Sequence, residues 1–407
     1  MRMFRERAGA AASHPSRRSD GGPVDLRSMR ILTVNAGSTS VKLERYDLAA
    51  PLPGLASPPD PDWADATTAD GADEALADAL SAGVDAVAHR FVRLADDAPA
   101  VLRLDDDAVQ ATARVVAEAP LHDAAALHAV MLVRRLSPST VQLAVADGAF
   151  HRTMSATATT YAIPRELTQR GLRRRGYHGL SHEYAAHRAC ALAGVDVARA
   201  RVVTAHVGGG SSLCAIDRGA SIDTTMGYTP LEGLPMATRS GSVDPGLLLH
   251  LLREGMTPHE LEEMLERRSG LLGLSGRSGD VRALLAARDD PDARLALDVL
   301  GWRLRAAVGA MIGVLGGIDL LVFTGGVGEN AAEIRAAGVL GAAASGAELD
   351  ARRNATIIAR DGRISTDRSR TGVFVISARE GWQLARQGYR ALRDANSYCA
   401  STMRPRQ

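Results

Sequence analysis

Three times along this chain, a short run of β-branched and apolar residues breaks off into a glycine-rich turn. Residues 31–34 run into Asn35-Ala36-Gly37-Ser38-Thr39-Ser40, residues 202–207 into Gly208-Gly209-Gly210-Ser211-Ser212, and residues 320–324 into Gly325-Gly326-Val327-Gly328. Runs this short and this continuously apolar are strands buried on both faces. A fourth, 143–146, ends at Asp147-Gly148, and helical patterns lie between, which makes the chain an α/β protein. Glycine lets a backbone approach a ligand closely and turn its amides toward phosphate oxygens. Three such turns, two carrying clustered hydroxyls, point to a nucleotide. None has the P-loop pattern and no GxGxxG opens a helix, which disfavours Walker-type and Rossmann sites.

A faint internal repeat accompanies the turns. Arg30-Ile31-Leu32-Thr33-Val34-Asn35 and Arg201-Val202-Val203-Thr204-Ala205-His206 each lead into one, and at similar distances beyond them a second apolar strand ends in glycine, at Gly148 and at Gly325. The pattern implies two related α/β halves with a cleft between, pairing the strand at 143–146 with that at 320–324. A length of 407 residues also calls for two domains.

Composition excludes several classes. With 46% hydrophobic and 23% charged residues the chain is globular, and a net charge of +1 gives no general attraction to nucleic acid or membrane. The three cysteines, Cys190, Cys214 and Cys399, stand apart without metal-ligand spacing, as expected of a reducing, cytoplasmic compartment. The most apolar stretch, 306–318, falls short of the roughly 20 residues of a membrane span and is expected to be a buried helix. Residues 1–28 lack both an apolar period and the apolar core of a secretory signal, and are expected to be a disordered leader. Of 48 basic residues only Lys42 is a lysine, and it stands beside the first turn, where a compact ammonium suits phosphate.

Elsewhere, Thr257, Pro258 and Glu260 form a capping box for a helix near 257–268. Residues 222–246 show neither period, and so long an irregular stretch is usually functional. Asp280 is placed to cap a helix, with Arg282 in its first turn, where nucleotide groups dock. His178 and His182 are four apart, but Gly179 and the lack of an acidic partner argue against a zinc pair.

Together these segments resemble the acetate kinase family, within the superfamily of acetate and sugar kinases, heat-shock ATPases and actin. The resemblance rests on VNAGSTSVK (34–42), VAHRFV (87–92), PLH (120–122), ADGAFHRTM (146–154), RRRGYHGLSHEY (173–184), TAHVGGGSS (204–212), DTTMGYTPLEGLPMATRSGSVDPG (223–246), SGLLGLSGRSGDVR (269–282), FTGGVGEN (323–330) and VFVISAREGWQLAR (373–386), in the family's order. It implies two actin-like, ribonuclease H-like domains, 29–148 with 380–396 and 149–379, an interdomain cleft, and a tail at 397–407. It also implies a homodimer, ATP/ADP as co-substrate, acetate and acetyl phosphate as the other pair, and Mg²⁺, or Mn²⁺ in its place.

By position, the resemblance gives Asn35 and Glu380 to the metal, and Ser38, Ser40 and Lys42 to the phosphates. His206, Val207, Gly208, Gly209 and Gly210 would hold the nucleotide, with Asp280, Val281, Arg282, Gly326, Val327, Gly328, Glu329 and Asn330. Arg90 would bind the acid, with Val92, Leu121, Tyr177 and Pro230 around its methyl group. Asp147 would be the catalytic carboxylate, while His178 and Arg239 stabilise the transition state. A carboxylate acceptor is already ionised at neutral pH. The chemistry therefore needs cations to bring two anions into line, and not a general base, so Asp147 is expected to position Mg²⁺ or its water.

The chain departs from the family at several points. Arg93-Leu94-Ala95 replaces His-Gly-Gly, Gly209 and Asp123 each replace an asparagine, Glu380-Gly381 replaces Glu-Glu, and Tyr177 replaces phenylalanine, putting a hydroxyl beside the acid pocket. The rival readings are a propionate or butyrate kinase of the same fold, a sugar kinase, and an ATP-binding protein that signals by cleft closure.

Overall fold

The computed structural model describes residues 28–36, 40–54, 58–95, 97–118 and 120–402, so the expected leader lies outside it apart from Ser28, where the first strand begins. One sheet consists of β1 (Ser28–Ala36), β2 (Ser40–Ala49), β3 (Trp63–Thr68), β4 (Ala86–Phe91), β5 (Val101–Arg103) and β6 (Val141–Ala146). The other consists of β7 (Arg201–Val207), β8 (Ser211–Asp217), β9 (Ala220–Thr224), β10 (Leu320–Thr324), β11 (Gly362–Arg363) and β12 (Gly372–Val375). In each sheet three strands run parallel (β1, β4 and β6; β7, β10 and β12) and the others pair antiparallel.

The strand orders are β3-β2-β1-β4-β6-β5 and β11-β12-β10-β7-β8-β9, so, counted from each sheet's own first strand, both are 3-2-1-4-6-5. The repeat seen in the sequence is thus a repeat of topology, but its pairing needs correction. The counterpart of β10 is β4, and that of β6 is β12. A glycine after a parallel strand marks the end that faces the cleft, a property β6 and β10 share without being equivalent.

The strands are continuously apolar because helices cover both faces of each sheet. In β1, Met29 and Ile31 enter one core, while Leu32 and Val34 enter another. The helices Ala72–Ser81, Asp106–Glu118 and Pro120–Leu136 cover the outer face of the first sheet, and Pro291–Leu315 with its neighbours covers that of the second. Between the sheets lie the helices Gly179–Ala193 and Glu380–Thr402. Their Leu180, Tyr184, Ala185, Trp382 and Leu384 share one core with Ile31, Tyr46 and Val145 of one sheet and Val202, Ile216 and Val322 of the other.

The capping box forms as expected, with Thr257 capping Pro258–Arg267 and the Glu260 side chain returning to the Thr257 amide at 2.8 Å. Residues 306–318 are only partly the buried helix expected. Val308 and Met311 are buried, but Val314 is 51% exposed and Trp302, a little earlier on the same helix, 68%. One face packs on the second sheet, and on the other Leu295, Trp302 and Val314 are left exposed among the described residues. Among the described residues no helix is long and apolar enough to cross a membrane.

Trp382 is fully buried in the shared core, its ring 5.7 Å from that of Tyr46. Trp382→Ala is expected to cost about 3–5 kcal/mol, read as a lower urea midpoint, because the cavity opens between the two sheets.

Candidate active site

In open α/β sheets, ligands bind beyond the carboxyl ends of the parallel strands. Here those ends converge. Asn35 lies near the end of β1, Arg90 near that of β4, and Asp147 just past β6; opposite them, His206 lies near the end of β7, Gly325 follows β10, and Glu380 lies beyond β12. The two sides touch through Asn35, whose Nδ2 donates to Glu380 Oε2 at 2.6 Å.

Asp147 is 1% exposed, and its two oxygens accept three hydrogen bonds. Arg90 Nη2 donates to Oδ2 at 2.7 Å, the His178 amide to the same oxygen at 2.9 Å, and the Leu180 amide to Oδ1 at 3.3 Å. Burial alone would push this carboxyl up, but Arg90, then His178 and the amides outweigh it and hold it down at about 2. Arg90 is in turn held charged: burial opposes this, and the Asp147 and Glu380 carboxylates more than offset it. Gly179 permits the close approach, since a Cβ there would lie 2.1 Å from the Asp147 carbonyl oxygen. His178, just before it, takes the left-handed conformation (φ 58°), uncommon outside glycine and frequent at functional positions.

His178 and Arg239 meet at the triple-glycine bend. A Cβ at Gly210 would lie 3.3 Å from His178 Nε2 and 3.6 Å from Arg239 Nη1. The His178 ring stacks on that of His206 at 4.3 Å. Burial, then His206, Arg90 and Arg239 drive the His178 ring well below the usual histidine range, against the pull of Asp147. The two arginines therefore act on one imidazole. Arg239 is anchored by Glu266 Oε2 at 3.3 Å and the Pro230 carbonyl at 3.3 Å, and its segment pairs with 269–272 through backbone bonds such as Leu271 N to Met236 O at 2.8 Å. Lys42, the cross-strand partner of Asn35, alternates with Val41 and Leu43 of the outer core and so lies on the opposite face of the sheet, where it is exposed.

Beside these groups is a small apolar cluster of Tyr177, Met226 and Met236, with Val92 packed against it. Pro230 is buried nearby, while Ser38 lies outside the described residues, as do the side chains of Ser40 and Leu121. The Tyr177 hydroxyl donates to the Tyr228 carbonyl at 2.6 Å and so tethers the irregular segment. Arg174 tethers it too, donating to the carbonyls of Thr224, Thr225 and Met226 and to Glu232 at 2.7 Å. Asp123, the departure from asparagine, accepts from the amides of Val92 at 2.7 Å and Arg93 at 2.9 Å. A carboxylate can take both bonds with separate oxygens, whereas an amide side chain has only one.

The turn after β10 becomes the short helix Gly325–Asn330, closed by Asn330 Nδ2 donating to the Gly326 carbonyl at 2.8 Å, and Glu329 accepts from the Ala378 amide at 3.0 Å. Beneath it is Arg335, which sequence reasoning passed over. It is fully buried and donates to the carbonyls of Gly328 at 3.1 Å, Glu329 at 2.9 Å and Ile357 at 3.1 Å, to Asn354 Oδ1 at 2.8 Å, and to the Asn354 carbonyl. Arg335 would have shown in the sequence only as a cation beside Ile334 on a buried helix face, a position where arginine is normally exposed. Asp280 caps Val281–Ala286 as expected, while Arg282 is at the surface and pairs with Asp280 at 2.7 Å. A Cβ added at Gly209 would meet nothing within 4 Å.

Asn35 and Glu380 fit Mg²⁺. The Asn35 amide nitrogen is spent on Glu380, which leaves its carbonyl oxygen, and the pair supplies oxygen donors only. Among the described residues no group of three His, Cys, Asp or Glu could cage an ion. Mg²⁺ is commonly held this way, by one or two carboxylates with substrate phosphates and water. Next to Glu380, Gly381 leaves room for Glu44: a Cβ there would lie 1.6 Å from Glu44 Oε2. The glycine that departs from the family's second glutamate is thus matched to a carboxylate arriving from β2.

Two similar sheets close on a cleft that holds Arg90, Arg239 and His178, and the chain's relatives make it a phosphotransferase whose acceptor is a carboxyl group. The chain belongs to the acetokinase family, whose sequence profile matches residues 62–386. It is 38% identical to the acetate kinase of Acaryochloris marina over 89% of this chain and 99% of that one. Solved structures with the same fold include the acetate kinase of Porphyromonas gingivalis (31% identity, TM-score 0.77) and a propionate kinase of Francisella tularensis (32%, 0.76), each over 88% of this chain and 98% of the other.

Gly381→Glu is expected to cost about 1–3 kcal/mol in urea unfolding through overpacking and like charge, with Glu44→Ala restoring most of it. Asp147 has its pKa lowered from 3.8 to about 2, so its contribution to stability is complete above 3.8 and is lost as pH falls through about 2. The ¹³C signal of its carboxyl should accordingly stay that of a carboxylate from about pH 8 down to about pH 4, and titration near pH 5 would show that the Arg90 clamp does not form.

Proposed function

We propose that this chain is an acetate kinase, moving the γ-phosphoryl group of ATP reversibly to the carboxylate of acetate by direct in-line attack. The observation that carries this reading is the meeting of His178 and Arg239 at one glycine bend, with Arg90 on the same Asp147 carboxylate as the His178 amide, beside the apolar cluster of Val92, Tyr177, Met226 and Met236. Arg90 binds the acid's carboxylate, and the cluster, with Pro230 and Leu121, encloses its methyl group. The nucleotide phosphates meet Lys42, Ser38 and Ser40 from the first sheet, and His206–Gly210 and Gly326–Asn330 from the second; Asp280–Arg282 lie at the nucleotide's outer edge. As the phosphoryl group moves, its oxygens gain donors from Arg239 and His178, fixed before the reaction begins. Asp147, whose oxygens accept from Arg90 and two amides, takes no proton in this scheme; it holds Arg90 and His178 in place, and its remaining acceptor site would position Mg²⁺ or its water. Asn35 and Glu380 would hold Mg²⁺, or Mn²⁺ in its place, which would supply positive charge to offset that of the phosphates.

The exposed face of helix Pro291–Leu315, with Leu295, Trp302 and Val314 uncovered, supports a homodimer through the second sheet's side of the molecule. The absence of a spanning helix among the described residues and the sparse cysteines fit a cytoplasmic enzyme.

A second reading, a kinase preferring propionate, is favoured by Met226 and Met236, whose flexible side chains can make room for a further methylene. Hydroxamate trapping of the acyl phosphate with ATP, Mg²⁺ and acids of increasing length decides between them. Acetate should give the highest kcat/KM, with each added methylene changing it by roughly 10-fold or more. No trapped product with any acid would sink both readings. Arg239→Ala should lower kcat by about 10³-fold, comparable to the loss of an arginine finger.

A further inference from the structure

A neutral histidine has one ring nitrogen that donates and one that accepts, and beside a moving phosphoryl group the two serve opposite ends. Which of them His178 turns to the cleft is set by a chain of side chains behind it. His178 Nδ1 lies 2.9 Å from Ser212 Oγ, Ser212 Oγ lies 2.7 Å from His182 Nε2, and His182 Nδ1 lies 2.7 Å from Thr204 Oγ1. Ser212, His182 and Thr204 are fully buried. The strands impose the arrangement: Thr204 and His206 on β7, and Ser212 on β8, alternate with residues of the outer core and so face the helix that carries His182.

The hydroxyl of Ser212 has one proton and stands between two imidazole nitrogens. It can donate to one only. If it accepted from both, its own proton would be left without a partner among the described residues, so it donates to one and accepts from the other, and the tautomers of the two rings are coupled. In one direction, Thr204 donates to His182 Nδ1, His182 Nε2–H donates to Ser212, and Ser212 donates to His178 Nδ1. Every buried proton then has an acceptor. In the other direction each bond reverses, and the Thr204 hydroxyl proton must find an acceptor elsewhere. Thr204 Oγ1 has no second hydrogen-bond partner among the described residues. The reversed chain would therefore bury an orphaned donor, which folded proteins avoid.

We infer that Thr204, His182 and Ser212 form a one-way hydrogen-bond relay that fixes His178 as the Nε2–H tautomer and so presents a donor to the transferring phosphoryl group. Thr204 and Ser212 are positioning residues, acting through rings they never share with substrate. The same count applies to Ser181, whose hydroxyl lies 2.8 Å from His206 Nδ1 and has no other partner among the described residues; it leaves His206 Nε2–H facing the glycine turns. The inference rests on the phosphoryl-transfer reading of the cleft for its purpose, but the tautomer itself can be read without turnover.

The test is a two-bond ¹H–¹⁵N correlation on ¹⁵N-histidine-labelled protein near neutral pH, with signals assigned by single substitutions. His178 and His182 should each show a protonated Nε2 and a bare Nδ1; a protonated Nδ1 on His178 overturns the relay. Thr204→Val, which keeps the shape and removes the proton source, should redistribute both tautomers and lower kcat roughly 10-fold with KM for ATP and acid little changed, while Thr204→Ser keeps both properties. Unaltered tautomers and kcat in Thr204→Val would equally end the proposal. Failure to form any acyl phosphate with the expected tautomers in place would instead count against the acetate kinase reading alone.

Discussion

The carboxylate of Asp147 ties together three pieces that approach from different parts of the chain. Arg90 comes from the end of β4, Asp147 follows β6, and the amides of His178 and Leu180 open the helix between the sheets. A buried carboxylate is tolerable only when its charge is answered, and here one guanidinium and two amides answer it. The consequence runs both ways. The carboxylate keeps Arg90 charged and aimed, and it pins the first turn of the helix whose His178 reaches the glycine bend. If that charge were removed, the arginine, the left-handed histidine and the helix start would each lose the same partner.

Around this clamp the architecture is economical. Two sheets of the same strand order present their parallel strand ends to one cleft, and two helices fill the space between with a shared core. The irregular segment after β9 crosses the cleft without regular structure of its own. It is held from below by Arg174, Tyr177 and the backbone of 269–272, and so it delivers Arg239 and Met236 as reliably as a strand would. Its lack of period in the sequence reflects that it is shaped by what it touches.

Much of this was legible in the residues. The strands β1, β6, β7 and β10 declared themselves because double burial leaves no room for alternation. The glycine turns marked the cleft edge, and the ordered motifs named Arg90, Asp147, His178 and Arg239. The pairing of the two halves was misread, since a terminal glycine records where a strand ends and not which strand it is. The role of the polar residues behind the site was also missed. Ser212 counts only as a hydroxyl of the glycine turn, His182 only as an unsuitable zinc partner, and Thr204 as an ordinary strand residue, until β7 and β8 are placed in register. Asp123 looks like a loss until its two amide partners are seen.

Arg335 carries a mechanical implication. Its guanidinium joins the carbonyls of Gly328 and Glu329 at the cleft floor to those of Asn354 and Ile357 on the far edge of the second sheet, all within one buried knot. No hinge can lie between those segments without breaking several of these bonds at once. The floor and that outer edge are therefore a single plate, which moves as one piece or not at all.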